Sequence, residues 1–236
     1  MHLPTRLARV HARDLRLHFL ALPADDRRLR FGRSMNDAAI RNYVARIDFA
    51  RDAVFGVFDT DLTLIGVAHL ARGDEAAELG LSVLPAGRRG GIAASLLDRA
   101  ITHARACGIT LLTLHCMSEN EPMRRLAQRA RMTVSREHGE LQAELRLAPA
   151  TSGTALADWV EHGMATADYA WRAQAASARG RRLPAEPAAE PAEPPEVSTT
   201  ATTTATTIAS STAATTASAA DAAAGVVDAD TTRLPA

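Results

Sequence analysis

The sequence predicts an α/β fold, an α+β arrangement in which one mixed, mostly antiparallel sheet is flanked by helices. Three apolar runs, at 53–59, 62–70 and 76–84, follow one another with only short turns between them, which is typical of an antiparallel meander. A segment with helical periodicity, 92–107, separates the third run from a fourth at 109–117. Because a strand, a helix and a strand in succession form a right-handed crossover, the fourth run should pair in parallel.

Helical segments precede the meander. Residues 14–22 have apolar residues at helical spacing, and Pro23 ends that segment ahead of a turn or short helix over 25–31. Asn36 is the expected N-cap of a further helix with one apolar stripe. Residues 1–12 have no firm period, and we interpret them as a lead-in.

One more helix and two last strands should follow the fourth run. Asn120 is the expected N-cap of this helix, and Pro122 fits its first turn. The strands are expected over 132–135 and 140–147, around His138-Gly139.

A change of composition near residue 150 divides the chain. We expect a domain at 1–150 and a helical extension at 151–182, whose alanine-rich helix covers 155–178. A tail at 183–236 contains Pro, Glu and Ala, and then Thr, Ala and Ser, with almost no large apolar residues. Such a segment buries too little apolar surface to offset the entropy of ordering, so it should be disordered.

The composition argues against several functional classes. The charges balance to zero and the isoelectric point is about 7.1, so a nucleic-acid-binding surface is not expected. No apolar run approaches the length of a membrane span, and Met1 does not open a signal peptide. Cys107 and Cys116 lack metal-ligand spacing and are expected to be buried free thiols. We therefore expect a cytoplasmic protein with neither a metal nor a membrane partner.

A basic, glycine-containing turn is the strongest candidate for a binding site. It reads Arg88-Arg89-Gly90-Gly91-Ile92-Ala93 and lies between the third apolar run and the following helix. The start of a helix has unpaired N–H groups and the positive end of the helix dipole. Glycines let an anion approach these groups, and arginines add charge-assisted donors. The turn is therefore predicted to bind a diphosphate, although an ordinary turn with two solvated arginines stays open as the alternative.

Two common diphosphate-binding motifs do not fit this turn. The G-x-G-x-x-G motif with its distant acidic residue is missing, and a Walker A loop needs a lysine, which this chain lacks. What remains is R-x-x-G-x-A, from Arg88 through Gly91 to Ala93. This pattern resembles [Q/R]-x-x-G-x-[G/A], the acetyl-CoA diphosphate loop of the GNAT superfamily of N-acetyltransferases.

The resemblance covers about residues 20–147. Residues 78–85, which read Glu-Leu-Gly-Leu-Ser-Val-Leu-Pro, resemble the fourth strand of the family, and 109–120 resembles its fifth strand with the asparagine that follows. Residues 120–127 resemble the pattern of the next helix. Residues 25–31 are similar to the leading segment of bacterial protein-lysine acetyltransferase domains. The resemblance implies the acyl-CoA N-acyltransferase fold, with acetyl-CoA as co-substrate.

The resemblance also implies where acetyl-CoA binds. In the family the fourth and fifth strands splay apart, and the pantetheine arm lies in the gap against the fourth strand. The loop residues face the diphosphate, and the asparagine holds a pantetheine amide or an ordered water in addition to capping its helix. The residues implied to bind acetyl-CoA are Leu81, Ser82, Val83, Arg88, Arg89, Gly90, Gly91, Ile92, Ala93, Ala94, Ser95 and Asn120.

The implied reaction is direct attack on the thioester by a primary amine, from a protein lysine or a small molecule. A lysine amine has a pKa of about 10.4, so a base must remove a proton. Glu78 and His115 are the two candidates, and His69 is a third. Strand alternation directs His115 away from Leu114 and Cys116, which we expect to be packed. An ordinary strand histidine and, for Glu78, a solvated strand end remain the alternatives.

One departure from the family concerns the general acid. Ala127 stands where the family commonly has a tyrosine that protonates the departing thiolate, and water, Ser118 or Tyr169 remain as substitutes. The alternative function is therefore a non-catalytic acyl-CoA-binding or sensing module. A homodimer, through the last strands or the helix that bears Trp159 and Trp171, is a further expectation.

Overall fold

The computed structural model describes residues 3–137 and 139–178. A seven-stranded sheet in this part of the chain has the strand order β1-β2-β3-β4-β5-β7-β6. Only the β4–β5 pair is parallel among the described strands, which confirms the mixed, mostly antiparallel sheet. The strands are β1 (Thr5–Leu7), β2 (Ala53–Phe58), β3 (Leu64–Arg72), β4 (Ala76–Val83), β5 (Leu111–Met117), β6 (Thr133–Glu137) and β7 (Glu140–Arg146).

Two of the helices begin at their predicted N-caps. Asn36 accepts a hydrogen bond from the Ala39 amide at 2.8 Å, and Asn120 accepts one from the Met123 amide at 3.2 Å. The helices are α1 (Ala12–Leu20), α2 (Ala24–Phe31), α3 (Asp37–Ala45), α4 (Ile92–Ala106), α5 (Glu121–Arg129) and α6 (Ser152–Ala178).

The sheet is covered on both faces. α1 packs against β3 and α3, and α2 packs against β4 and β5, whereas α4 packs against β2, β3 and β4 from the opposite face. The buried core includes Phe19 below α1 and Leu96 below α4, each with no exposed surface. Burial of one such side chain contributes about 1.5–3 kcal/mol, so the two helical layers are held mainly by apolar contacts.

The N-terminal segment differs from our interpretation of it as a lead-in. Thr5–Leu7 forms β1 and pairs antiparallel with Val54–Gly56, and Leu7 is buried. A three-residue strand is too short to show a periodicity, which is why the pattern missed it. The C-terminal helix agrees with the sequence pattern and begins at Ser152. His138 and the predicted tail at 183–236 lie outside the described residues, and the boundaries at 1–150, 151–182 and 183–236 remain predictions.

Candidate functional site

β4 and β5 separate soon after they begin to pair. Their parallel ladder joins only Ala76–Glu78 to Leu111–Thr113. Beyond this ladder β4 stays paired with β3 as far as Val83, and β5 stays paired with β7 as far as Met117. The two strands therefore bound a wedge, and Leu79–Val83 faces it with the backbone edge that β3 does not use.

Leu81, Ser82 and Val83 lie on this wall of the wedge, as expected. The Ser82 hydroxyl is 2.8 Å from Nε2 of His18, and Nδ1 of His18 is 2.8 Å from the Leu64 carbonyl oxygen. Burial lowers the pKa of His18 to about 4, so the imidazole is neutral, donates to the carbonyl and accepts from Ser82. Because this bond occupies the Ser82 hydroxyl, a ligand in the wedge would meet the backbone of Ser82.

The loop after β4 leads into a helix start that has no side-chain cap. A 3₁₀ turn (Pro85–Gly87) precedes four exposed residues, Arg88–Gly91, and α4 begins at Ile92. Arg89 and Gly91 have φ angles of 65° and 75°, in the left-handed region. Gly91 is the N-cap and offers no side-chain acceptor, so the first amides of α4 point outward without one.

An anion at the first turn of α4 would contact backbone N–H groups more readily than side chains. Ile92 is buried in the core, and the Ser95 hydroxyl donates to the Ile92 carbonyl oxygen at 2.9 Å. Ala93 and Ala94 are half-buried and carry only methyl groups. The predicted role of these four residues therefore depends on their N–H groups.

Two ion pairs tie α2 to the two sides of the wedge. Nη2 of Arg88 lies 2.5 Å from a carboxylate oxygen of Asp26, and Arg88 also donates from Nε to the Val83 carbonyl oxygen. Arg28 forms an ion pair with Glu119, the residue before Asn120. No local sequence pattern relates the partners of either contact, because they are 62 and 91 positions apart.

A cavity of about 620 Å³ opens beside the wedge and contains both candidate bases. Glu78 and Gly80 of β4 line it, and so does His115 of β5. His115 is exposed, whereas Leu114 and Cys116 are buried, which confirms the predicted alternation along β5. A carboxyl group on β4 and an imidazole on β5 are therefore available to one ligand.

The same cavity is lined by further polar side chains that contact one another, and the sequence pattern points only to His69 among them. The Tyr43 hydroxyl is 2.6 Å from Nδ1 of His69, and Nε2 of His69 is 3.0 Å from a carboxylate oxygen of Asp52. Nη2 of Arg30 donates to the Tyr43 oxygen at 3.1 Å. Arg30, Tyr43 and His69 all line the cavity. His69 is the third candidate base, whereas Tyr43 lies on α3, the helix for which the sequence predicts only an apolar stripe.

The guanidinium of Arg30 lies against β4 at Gly80. A Cβ atom at Gly80 would meet Nη2 of Arg30 at 2.0 Å, so only glycine allows this contact. The same guanidinium lies over the Phe31 ring, 4.9 Å from its centroid. Glycine at this position therefore leaves room for a positive charge on the wall of the cavity.

Tyr169, one of the substitutes proposed for a tyrosine at Ala127, lies outside the cavity. Ala127 is fully buried in α5. Tyr169 is packed against His11 and Phe58, with centroid distances of 5.5 and 4.8 Å, and does not line the cavity. Tyr169 is therefore remote from Glu78 and His115, whereas Tyr43 shares their cavity.

Neither a metal-binding cluster nor a membrane span is found among residues 3–137 and 139–178. No group of three or more His, Cys, Asp or Glu side chains in this region could hold a metal ion. No helix there combines the length and the apolar character that crossing a bilayer requires.

Comparison with known proteins identifies similar sequences and structures. Residues 18–131 match the model of a family described as the acetyltransferase (GNAT) family. Comparison with curated proteins gives no match. The solved structures that are similar include the GNAT domain of S. lividans PAT, which is 18% identical with a TM-score of 0.53, covering 60% of this chain and 88% of that one.

Two further structures have comparable similarity. An N-acetyltransferase from Staphylococcus aureus Mu50 is 15% identical with a TM-score of 0.52, covering 63% of this chain and 99% of that one. The ribosomal-protein-S18-alanine N-acetyltransferase from Escherichia coli is 15% identical with a TM-score of 0.51, covering 64% of this chain and 97% of that one. At such identities the likeness shows a common fold.

Proposed function

The domain matched over residues 18–131 belongs to the acetyltransferase (GNAT) family, whose members are N-acetyltransferases, and from this premise we propose the reaction and its residues. The chain transfers the acetyl group of acetyl-CoA to a primary amine, from a protein lysine, a protein N-terminus or a small molecule. Acetyl-CoA is a co-substrate. The free thiols of Cys107 and Cys116 support a reducing, cytoplasmic location.

The observation that carries this proposal is the wedge between β4 and β5, with an uncapped helix start at one end and a cavity at the other. The pantetheine arm contains amides that suit the free backbone edge of Leu79–Val83. The amides of α4 and the side chains of Arg88 and Arg89 suit a diphosphate. A thioester held this way would end near the cavity that Glu78 and His115 line.

The chemistry required of the chain is proton transfer at the acceptor nitrogen. An ammonium group cannot attack a thioester until it loses a proton, and a carboxylate or an imidazole in the cavity can accept that proton. Glu78 and His115 are the proposed bases. Asn120, which is 9% exposed beside the wedge, is proposed to contact the pantetheine arm while it caps α5.

Replacement of Gly91 tests the diphosphate site. Gly91→Val adds a branched side chain where a phosphate would approach, and we expect it to raise the Kd for acetyl-CoA about tenfold or more. Gly108→Val is the matched control, because Gly108 has a φ of 76° and, like Gly91, no atom within 4 Å of an added Cβ. Isothermal titration should show normal affinity for the control despite the same backbone strain. Equal affinity in both variants would contradict the site.

A thiol-release assay tests the reaction and the bases. The acceptors are an N-terminal alanyl peptide, Nα-acetyl-lysine amide and spermidine; the peptide is included because a similar protein from Escherichia coli acetylates an alanine. Glu78→Gln or His115→Ala should lower kcat on the order of 100-fold if that residue is the base. If thiol is released and neither variant is slower, both assignments are wrong.

A non-catalytic acyl-CoA-binding module is the second candidate, and Ala127 is the observation that favours it. A buried alanine cannot protonate a thiolate. Acetyl-CoA that raises the melting temperature, together with no thiol release from any of the three acceptors, would favour this module over the enzyme.

A further inference from the structure

The Tyr43 hydroxyl ends a chain of hydrogen bonds that the proposed bases do not use. The chain links the Asp52 carboxylate, the His69 imidazole and the Tyr43 hydroxyl through contacts of 3.0 and 2.6 Å. A carboxylate, an imidazole and a hydroxyl in line form an arrangement in which the imidazole can take the hydroxyl proton. Asp52 is further held by the Arg72 amide, which donates to its other oxygen at 3.2 Å.

The chemistry of the partners sets the direction of each hydrogen bond. An ionised carboxylate only accepts, so Nε2 of His69 carries the ring proton and Nδ1 accepts from Tyr43. The guanidinium of Arg30 only donates, so it occupies one of the two lone pairs on the Tyr43 oxygen. The second lone pair is available to a group in the cavity that Tyr43 lines with Glu78 and His115.

Charged groups around His69 suit the imidazole to accept and return a proton. Burial lowers its pKa, and the positive charge of Arg30 lowers it further. The hydrogen bond and charge of Asp52 and the charge of Glu78 raise the pKa, but the net shift is downward. The ring is therefore neutral at neutral pH. Two carboxylates nearby stabilise the charge that it gains on protonation.

We propose that Tyr43, His69 and Asp52 form a proton relay from the acceptor nitrogen to the departing sulfur, a role that rests on the proposed acetyl transfer. The acceptor ammonium loses two protons in the reaction, and the first leaves through Glu78 or His115 to solvent. As the N–C bond forms, the second passes to the Tyr43 oxygen while the Tyr43 hydroxyl proton moves to Nδ1 of His69.

In the second half of the relay the sulfur is protonated and the relay residues regain their starting protonation states. When the C–S bond breaks, its electron pair stays on sulfur, and the Tyr43 hydroxyl protonates that sulfur. His69 then gives its proton back to the Tyr43 oxygen, so all three groups end in their starting state. Tyr43 thus supplies the acid that Ala127 cannot, and Asp52 acts as a positioning residue for the imidazole.

Tyr43→Phe tests the relay while keeping the ring. The phenyl group preserves the contacts with Phe31 and Phe19, whose centroids lie 5.0 and 5.6 Å away. With acetyl-CoA and the best of the three acceptors named above, kcat should fall on the order of 100-fold and KM for acetyl-CoA should not change. The solvent deuterium isotope effect on kcat should also change. Tyr169→Phe, the same substitution outside the cavity, should leave all three quantities unchanged.

A second substitution separates a relay from two independent contributions. His69→Gln keeps a hydrogen-bonding side chain but cannot hold the extra proton, so it should slow kcat as Tyr43→Phe does. The double variant should be no slower than the slower single variant, because one relay is lost in each case. A wild-type chain that releases thiol while Tyr43→Phe is equally fast would overturn the relay alone. A wild-type chain that releases no thiol would overturn the proposed acetyl transfer and the relay with it.

Discussion

At the residue scale, single polar side chains buried between α1 and the sheet hold the candidate site in position. His18 is 2% exposed and joins the Leu64 carbonyl to the Ser82 hydroxyl, so one ring links β3, β4 and α1. Burial disfavours the charged form of this histidine, so the ring is neutral, with Nδ1 donating to the Leu64 carbonyl and Nε2 accepting from the Ser82 hydroxyl. The wall of the wedge therefore depends on the protonation state of His18.

The pKa of His18 predicts a loss of stability in acid. Its pKa is about 4 in the folded chain and 6.5 as the ordinary value, so the unfolded chain binds the proton more tightly. The stabilisation is complete above pH 6.5 and is lost as the pH falls towards 4. Between pH 7 and pH 5 the free energy of unfolding should fall by about 2 kcal/mol from this group.

Urea denaturation at the two pH values measures this loss. His18→Gln removes the titrating group, so its stability should depend less on pH than that of the wild type, although it should be less stable at pH 7. His69 and His103, whose pKa values burial also lowers, add slopes of the same sign in both proteins. A pH dependence that is identical in variant and wild type would refute the assignment.

At the element scale, the close approach of α4 to β3 sets the position of the diphosphate loop. A Cβ atom at Gly66 of β3 would meet Cγ2 of Ile92 at 2.6 Å and Cδ1 of Leu96 at 3.1 Å. Ile92 is the first residue of α4. Because interiors are close-packed, the missing side chain at Gly66 lets the N-terminus of α4 lie directly against the sheet.

Gly66→Ala should therefore weaken both packing and binding. Forcing one methyl group into this contact should lower the free energy of unfolding by about 1–3 kcal/mol. It should also raise the Kd for acetyl-CoA, because the amides of α4 move away from β4. Gly163→Ala is the control: no atom lies within 4 Å of its added Cβ on α6, and it should stabilise by about 0.5–1 kcal/mol. Urea denaturation and calorimetric titration give both quantities, and an undisturbed Gly66→Ala chain would contradict this account.

At the scale of the whole molecule, α6 is held to the α4 face by a buried charge. Arg99 of α4 is 4% exposed, and its Nη1 is 2.6 Å from a carboxylate oxygen of Asp158 on α6. His103 contacts the same carboxylate at 3.1 Å. Burial alone would raise the pKa of Asp158, but hydrogen bonds and charges from Arg99 and His103 hold it low. α6 also exposes Trp159 and Trp171, which one of the two expected dimer interfaces would use, the other being the last strands.

Asp158→Ala should detach α6 without altering the acetyl-CoA site. Removing this carboxylate leaves the Arg99 guanidinium buried beside the Phe55 ring, with the partly exposed Glu161 at 3.5 Å, and should cost about 3 kcal/mol. Asp168→Ala removes the half-buried pair with Arg172 on the same helix, which is much less enclosed than Arg99, and should cost less than about 1 kcal/mol. Thermal denaturation compares the two. If Asp158→Ala is as stable as Asp168→Ala, α6 is held by apolar contacts alone.

The sequence by itself determined most of the elements and their order, with β1 as the exception. Periodicity and caps predicted the meander, the crossover helix and the N-caps at Asn36 and Asn120, because these signals depend on residues a few positions apart. The same holds for the loop Arg88–Ala93, whose glycines and arginines are contiguous. The alternation along β5 also placed His115 correctly on the open face.

Only the tertiary structure decided which side chains meet in the cavity. Asp52, His69 and Tyr43 are 9 to 26 positions apart in sequence and come from three different segments, so no local pattern relates them. Their contact requires the antiparallel register that pairs His69 with Gly80 and the packing of α3 above that pair. A tyrosine in an apolar stripe serves packing and chemistry equally well, and its hydroxyl acquires a role only when folding brings an imidazole to it.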